Sequence, residues 1–137
     1  MADVGEKLPQ QQYQVTRADL IRYAGASGDI NPIHWSDRGA SAAGLPGVIA
    51  HGMLTMALAG RVLTEWTGDP GGVVEYSVRF ARPVVVPDDD VGTTLTASGV
   101  VANVRDDGLV DVELLVTVGD EKVLTQARAV VYAPTAR

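Results

Sequence analysis

The sequence predicts an α+β domain in which a curved antiparallel sheet wraps around one long, central apolar helix. Three observations carry that expectation. Helical patterns crowd the first half of the chain, and the second half reads almost entirely as alternating strands. The longest helix, over residues 51–66, has almost no polar face until Arg61 and Glu65. Helices followed by a run of strands is the pattern of segregated α and β layers. A helix that is apolar all round must be covered on nearly every side.

The elements follow in order. Residues 13–15 can form a short first strand. Thr16, with Asp19 three positions on, predicts a capping box ahead of Leu20, Ile21, Tyr23 and Ala24 at helical spacing. Gly25, Ser27 and Gly28 end that helix. The segment Gly28-Asp29-Ile30-Asn31-Pro32-Ile33-His34 comes next, and its proline fixes its own φ and pushes Asn31 out of the helical region, making a rigid loop. Ser36 is placed to cap a short helix running through Ala43, stopped by Gly44 and the Pro46-Gly47 turn. In the long helix Met53, Leu54, Met56, Ala57, Leu58, Ala59, Val62 and Leu63 are apolar, and the Met53–Met56 pair reads as core packing. Residues 67–72 close it. Tyr76, Val78 and Phe80 then alternate with Glu75, Ser77 and Arg79, predicting one buried and one polar strand face. Pro83 and Pro87 bound the apolar Val84-Val85-Val86, and Asp88-Asp89-Asp90 reads as a solvated turn. Residues 93–104 form a second long strand, and Asp107-Gly108 marks a hairpin. Val110, Val112, Leu114, Val116 and Val118 alternate beyond it, Gly119-Asp120 turns the chain again, and residues 123–132 make the last strand.

At 137 residues, with 46% hydrophobic and 20% charged residues, the chain (1–137) is expected to be a single domain with its own core. A net charge of -6 and a pI near 4.7 argue against nucleic acid as a partner. The absence of cysteine removes disulfides, thiolate ligands and a cysteine nucleophile, and two histidines without cysteine do not suggest a zinc site. The polar lead carrying Asp3 and Glu6 does not read as a secretory signal. The longest apolar stretch, over residues 52–60, is about half of the ~20 residues a membrane span needs. A cytoplasmic location away from membranes is the expectation.

Chemistry concentrates in two places. Asp29 and His34 lie five positions apart in the rigid loop, and His51-Gly52 opens the apolar helix. Taken alone, an aspartate and a histidine in a loop read equally as turn and surface residues. Together with Ile49-Ala50-His51-Gly52-Met53-Leu54, however, the loop resembles the hydratase motif of the MaoC-like hot-dog family of (R)-specific enoyl hydratases and 3-hydroxyacyl dehydratases. Within that family the stretches SGDINPIHW, VIAHGMLTM and VEYSVRFARPVVVP are most similar to the catalytic B-type subunit of mycobacterial (3R)-hydroxyacyl-ACP dehydratases.

The resemblance implies a hot-dog fold with residues 51–66 as the central helix. It implies dehydration of a 3-hydroxyacyl thioester on acyl-ACP or acyl-CoA, with no cofactor and no metal. A second hot-dog subunit, in a heterodimer or homodimer, is the implied partner. Dehydration removes a weakly acidic C2 proton and expels hydroxide from C3, so one group must take a proton and one must give one. A histidine, with an ordinary pKa of about 6.5, suits proton abstraction near neutrality, and a neighbouring carboxylate can orient it and share the proton on the leaving water. The resemblance places Asp29 and His34 as this dyad, with His34 at C2, and the Gly52 backbone N–H as the donor to the thioester oxygen. Asn31 and His51 are expected to support the dyad. Some homodimeric (R)-hydratases carry a hydroxyl residue where this chain has Gly60, a departure that favours the dehydratase subunit. The alternatives are a self-sufficient homodimeric enoyl-CoA hydratase and a non-catalytic acyl-binding subunit. A hot-dog thioesterase fits poorly, because the central helix is free of acids until Glu65.

Overall fold

The computed structural model describes residues 2–134. The elements run β1 (Lys7–Val15), α1 (Arg17–Ser27), a 3₁₀ turn (Pro32–His34), α2 (Asp37–Ala42), α3 (Gly52–Thr67), a second 3₁₀ turn (Pro70–Gly72), β2 (Val73–Phe80), β3 (Thr93–Val104), β4 (Leu109–Val118) and β5 (Glu121–Tyr132). The strands form one antiparallel sheet in the order β1-β3-β4-β5-β2, with β1 and β2 at its edges.

Local chemistry accounts for the boundaries. The Thr16 side chain accepts from the Asp19 N–H, and the Asp19 carboxylate accepts from the Thr16 N–H at 2.9 Å, so aspartate completes the capping box in the place usually held by glutamate. The Ser36 hydroxyl accepts from Gly39 N–H at 3.0 Å and opens α2. Gly28 and Gly68, both left-handed, end α1 and α3. β1 starts at Lys7 rather than at Tyr13, and its first half is polar because an edge strand needs only a few inward residues, here Leu8 and Val15, and tolerates Pro9.

The sheet bends on β5. Gln126 has φ +47, and the register shifts there against both neighbours: Ser77 pairs with Arg128 but Arg79 with Thr125, while Glu113 pairs with Arg128 but Val116 with Leu124. A bulge of this kind coils the strand and bends the sheet, here around α3, which packs against β1, β2, β3 and β5. Leu63, Val62 and Ala59 of the helix meet Leu95, Val101, Val110, Val112, Val116 and Val131 of the sheet in one apolar core.

The helix is covered on one side only. Met53, Ala57, Arg61 and Glu65 form an exposed stripe along α3, so the expectation of near-complete wrapping is corrected. One five-stranded sheet reaches only the opposite face. Met53 itself is 58% exposed and is therefore not core.

Tyr76 of β2 lies against Gly60, where an added Cβ would come within 3.1 Å of its ring, and donates its hydroxyl to the Met56 carbonyl at 2.7 Å. Burial pushes the ionisation of this phenol well above its ordinary value near 10. A folded-state pKa above the unfolded one gives stability that is fully present below about pH 10 and lost as pH rises through the folded value. Thermal melts from pH 7 to 11 should therefore show a falling midpoint at the alkaline end. Tyr76→Phe should make that fall shallower while costing about 1 kcal/mol at neutral pH for the lost hydrogen bond.

Candidate active site

Two loops build the site, and each is shaped first by its own sequence. After the left-handed Gly28, the Asp29 carboxylate accepts the Asn31 N–H through Oδ1 at 3.2 Å, and the Asn31 side chain accepts the Ile33 N–H at 3.2 Å. These successive side-chain turns, with Pro32 opening the 3₁₀ turn, carry the chain from Asp29 to a buried His34. Asn31 thus acts on the backbone of the loop. The second loop, residues 48–51, is pinned to the Val84–Val86 segment: Ala50 N–H donates to Val84 at 2.8 Å and Val86 N–H to Val48 at 2.9 Å.

The loops are joined reciprocally. His34 donates from Nδ1 to the Ile49 carbonyl at 2.8 Å, Ile49 N–H donates to the Ile33 carbonyl at 3.1 Å, and His51 donates from Nε2 to the Asp29 carbonyl at 3.0 Å. A carbonyl only accepts, so these bonds settle both tautomers. The neutral His34 ring therefore carries its proton on Nδ1 and presents a bare lone pair at Nε2. His51 carries its proton on Nε2, and its Nδ1 is buried without a partner among the described residues. The two imidazoles stack with centroids 3.8 Å apart and planes 21° apart, and Tyr23 tilts onto His51 with its centroid at 4.7 Å. His51 stands at the start of α3 but makes no side-chain cap to it; it holds the Asp29 backbone instead.

His34 Nε2 and Asp29 Oδ2 are 3.8 Å apart. That separation is too long for a direct hydrogen bond and short enough for both atoms to reach one water or one substrate oxygen. The histidine is nearly buried and the carboxylate about half exposed. A carboxylate open to water on one side and a shielded imidazole on the other can hand protons to a common oxygen.

Both groups face a cleft of about 520 Å³ that also has Gly52, Met53 and Thr55 of α3, and Phe80, Pro83, Val123 and Leu124, along its walls. The structure therefore brings Asp29, His34, His51 and Gly52 to one cavity, while Asn31 stays in the loop. Gly52 is the first residue of α3, where N–H groups have no helical acceptor and the helix dipole is positive. A Cβ at Gly52 would lie 2.9 Å from a ring carbon of Phe80.

Two cleft residues escape the sequence pattern. Phe80 falls on the supposed buried face of β2, yet it is 57% exposed because the strand ends there and the ring turns over Gly52. Thr55 is the one hydroxyl among the apolar residues of the first two turns of α3, and that interruption is the signal that could have found it.

Asp29, His34 and His51 place ligand-type atoms within 4.8 Å of one another. Metal ligation needs lone pairs that converge at about 2.0–2.2 Å from one point. Near-parallel stacked rings hold theirs side by side, so this trio fits proton transfer better than a cation.

The bent sheet on a central helix, with a carboxylate and an imidazole beside the start of that helix, defines a hot-dog domain. The chain belongs to the MaoC like domain family, which matches residues 2–120. Among curated proteins it is 44% identical, over 79 residues, to the 3-hydroxyacyl-thioester dehydratase X of Mycobacterium tuberculosis; the match takes in 58% of this chain and 27% of that protein. Among solved structures it superposes on a MaoC-like dehydratase with a TM-score of 0.92 at 37% identity, covering 96% of this chain and 41% of that one. It also superposes on the (R)-hydratase from A. caviae involved in PHA biosynthesis with a TM-score of 0.83 at 26% identity, covering 97% and 98%. The chain thus spans about a quarter of the dehydratase X and nearly the whole of the (R)-hydratase. No helix among the described residues is long and apolar enough to cross a membrane.

Proposed function

We propose that the protein is a (3R)-hydroxyacyl-thioester dehydratase, reversible as an enoyl-thioester hydratase. In this reading it is the catalytic subunit on acyl-ACP in type II fatty acid or mycolic acid elongation. The observation that carries the reading is that His34 Nε2 and Asp29 Oδ2, neither hydrogen-bonded among the described residues, lie 3.8 Å apart on an apolar-walled cleft. His34 takes the C2 proton on Nε2, the C2–H electrons become the new C2=C3 bond, and the C3–O bond breaks. The departing oxygen receives a proton from the pair and leaves as water, so the pair ends the cycle as it began. Charge that builds on the thioester oxygen is met by the Gly52 N–H and the positive end of α3. Asn31 and His51 hold the loop that presents the pair, and no cofactor or metal enters the scheme. The partner is a second hot-dog subunit that covers the exposed stripe of α3 and completes the acyl channel. The name of dehydratase X supports the substrate class.

A second reading, a self-sufficient homodimeric (R)-specific enoyl-CoA hydratase, is favoured by the match over nearly the full length of the A. caviae enzyme. Native mass and enoyl-thioester hydration, measured for the protein alone and with a candidate second subunit, separate the two. Activity that appears only with the second subunit supports the first reading; full activity as a homodimer supports the second. No turnover on any CoA or ACP thioester in either state overturns both.

A further inference from the structure

We infer that Thr55 is a substrate-contacting residue whose hydroxyl donates a second hydrogen bond to the thioester carbonyl oxygen, beside the Gly52 N–H. The inference rests on the dehydratase reading of the cleft and adds to it a residue that the motif does not contain.

Thr55 is 4% exposed, lies on the cleft wall with Asp29, His34, His51 and Gly52, and interrupts an otherwise apolar helix. A buried threonine in a helix ordinarily satisfies its hydroxyl on the carbonyl four residues back. Here that carbonyl, of His51, already accepts the Leu54 N–H at 3.0 Å and the Thr55 N–H at 3.2 Å. Thr64 and Thr67, further along the same helix, do bond back, to the carbonyls of Arg61 and Thr64. Among the described residues no side-chain bond is made by Thr55. Its Oγ1 is not among the fully buried side-chain atoms that lack a partner, which are Tyr13 Oη and His51 Nδ1, so the hydroxyl opens onto the cleft and is free to meet a ligand there.

Its direction supplies the use. Side chains on a helix lean toward the N-terminus and cover the preceding turn. From position 55 that turn is the one that begins at Gly52, so the hydroxyl and the free N–H groups share one face of α3. Asp29 and His34 enter the same cleft from the separate 29–34 loop, stacked on His51, and C2 and the C3 oxygen would lie against them. The thioester oxygen therefore falls on the α3 side. The hydroxyl keeps its proton throughout and only donates a hydrogen bond, which strengthens as charge develops on the oxygen.

The test compares Thr55→Val and Thr55→Ser with the wild type, each in the assembly that is active. The valine variant is expected to lose about tenfold to a hundredfold in kcat, with KM changed little and a thermal midpoint equal to or above the wild type. The serine variant should keep kcat within about threefold, because it retains the donor. Wild-type kcat in the valine variant overturns the inference. So does a loss of rate that follows a lowered midpoint and is not rescued by serine. The carbonyl stretch of a bound saturated acyl-CoA, read by difference infrared spectroscopy, gives a measurement that needs no turnover. It should lie lower in the wild type and serine proteins than in the valine variant. Identical stretches in all three overturn the inference even if the protein proves inactive, whereas inactivity with an intact difference in stretch overturns only the dehydratase reading. A wild type that binds no acyl thioester ends both.

Discussion

Exchanging either His34 or Asp29 for asparagine is expected to slow enoyl-thioester hydration by about 10²–10⁴-fold and leave the fold intact. Asparagine is the informative replacement at both positions. At 34 its amide can still donate to the Ile49 carbonyl, which His34 Nδ1 reaches at 2.8 Å, so the loop junction survives while the base is gone. At 29 it keeps an oxygen for the Asn31 N–H and turns the other carboxylate oxygen into an amide that neither takes nor gives a proton. Because the two groups serve one elimination step, the double variant should be little slower than the worse single variant. Loss of the enoyl absorbance under saturating substrate, with circular dichroism as the control on folding, checks all three. Wild-type rate in either single variant would end the assignment of the pair.

Gly52→Ala should cost about 10²-fold in kcat, the loss seen when a donor to a developing oxyanion is blocked. The methyl group would stand where the thioester must approach the backbone N–H, and 2.9 Å from a ring carbon of Phe80. Phe80 is largely exposed, so its ring can swing away and the fold should survive. That freedom supplies the control. If Phe80→Ala added to Gly52→Ala restores the rate, the glycine serves only to seat the ring. If the rate stays low with an unchanged thermal midpoint, the glycine serves the approach of substrate.

The sequence carries most of this fold because most of it is periodic. β3, β4 and the Asp107-Gly108 hairpin follow from period-two alternation and turn chemistry, and the start of α1 from Thr16 and Asp19. What escapes it is whatever a single position decides through distant neighbours. The first half of β1 is too polar to register as a strand, since only its place at the sheet edge makes Lys7–Gln12 extended. Phe80 follows the alternation of β2 and yet turns outward, because its neighbour is a helix start rather than the core. The site is legible in kind: Asp29, His34 and Gly52 can be singled out by chemistry and resemblance, and they do line one cleft. The part of His51 is not. Nothing in its spacing says that it stacks on His34 or grips the Asp29 backbone, since both contacts depend on how two loops meet.

That meeting has a further consequence. The side chain of the first loop is held by the backbone of the second, and the side chain of the second by the backbone of the first. Each loop has its own turns or its bonds to residues 84–86, but the two histidine bonds exist only while both loops are in place. Such groups open and close as one cooperative unit rather than by fraying separately. The placement of Asp29 is therefore tied to His51, 22 positions away, and amide hydrogen exchange in the two loops is expected to report one shared opening.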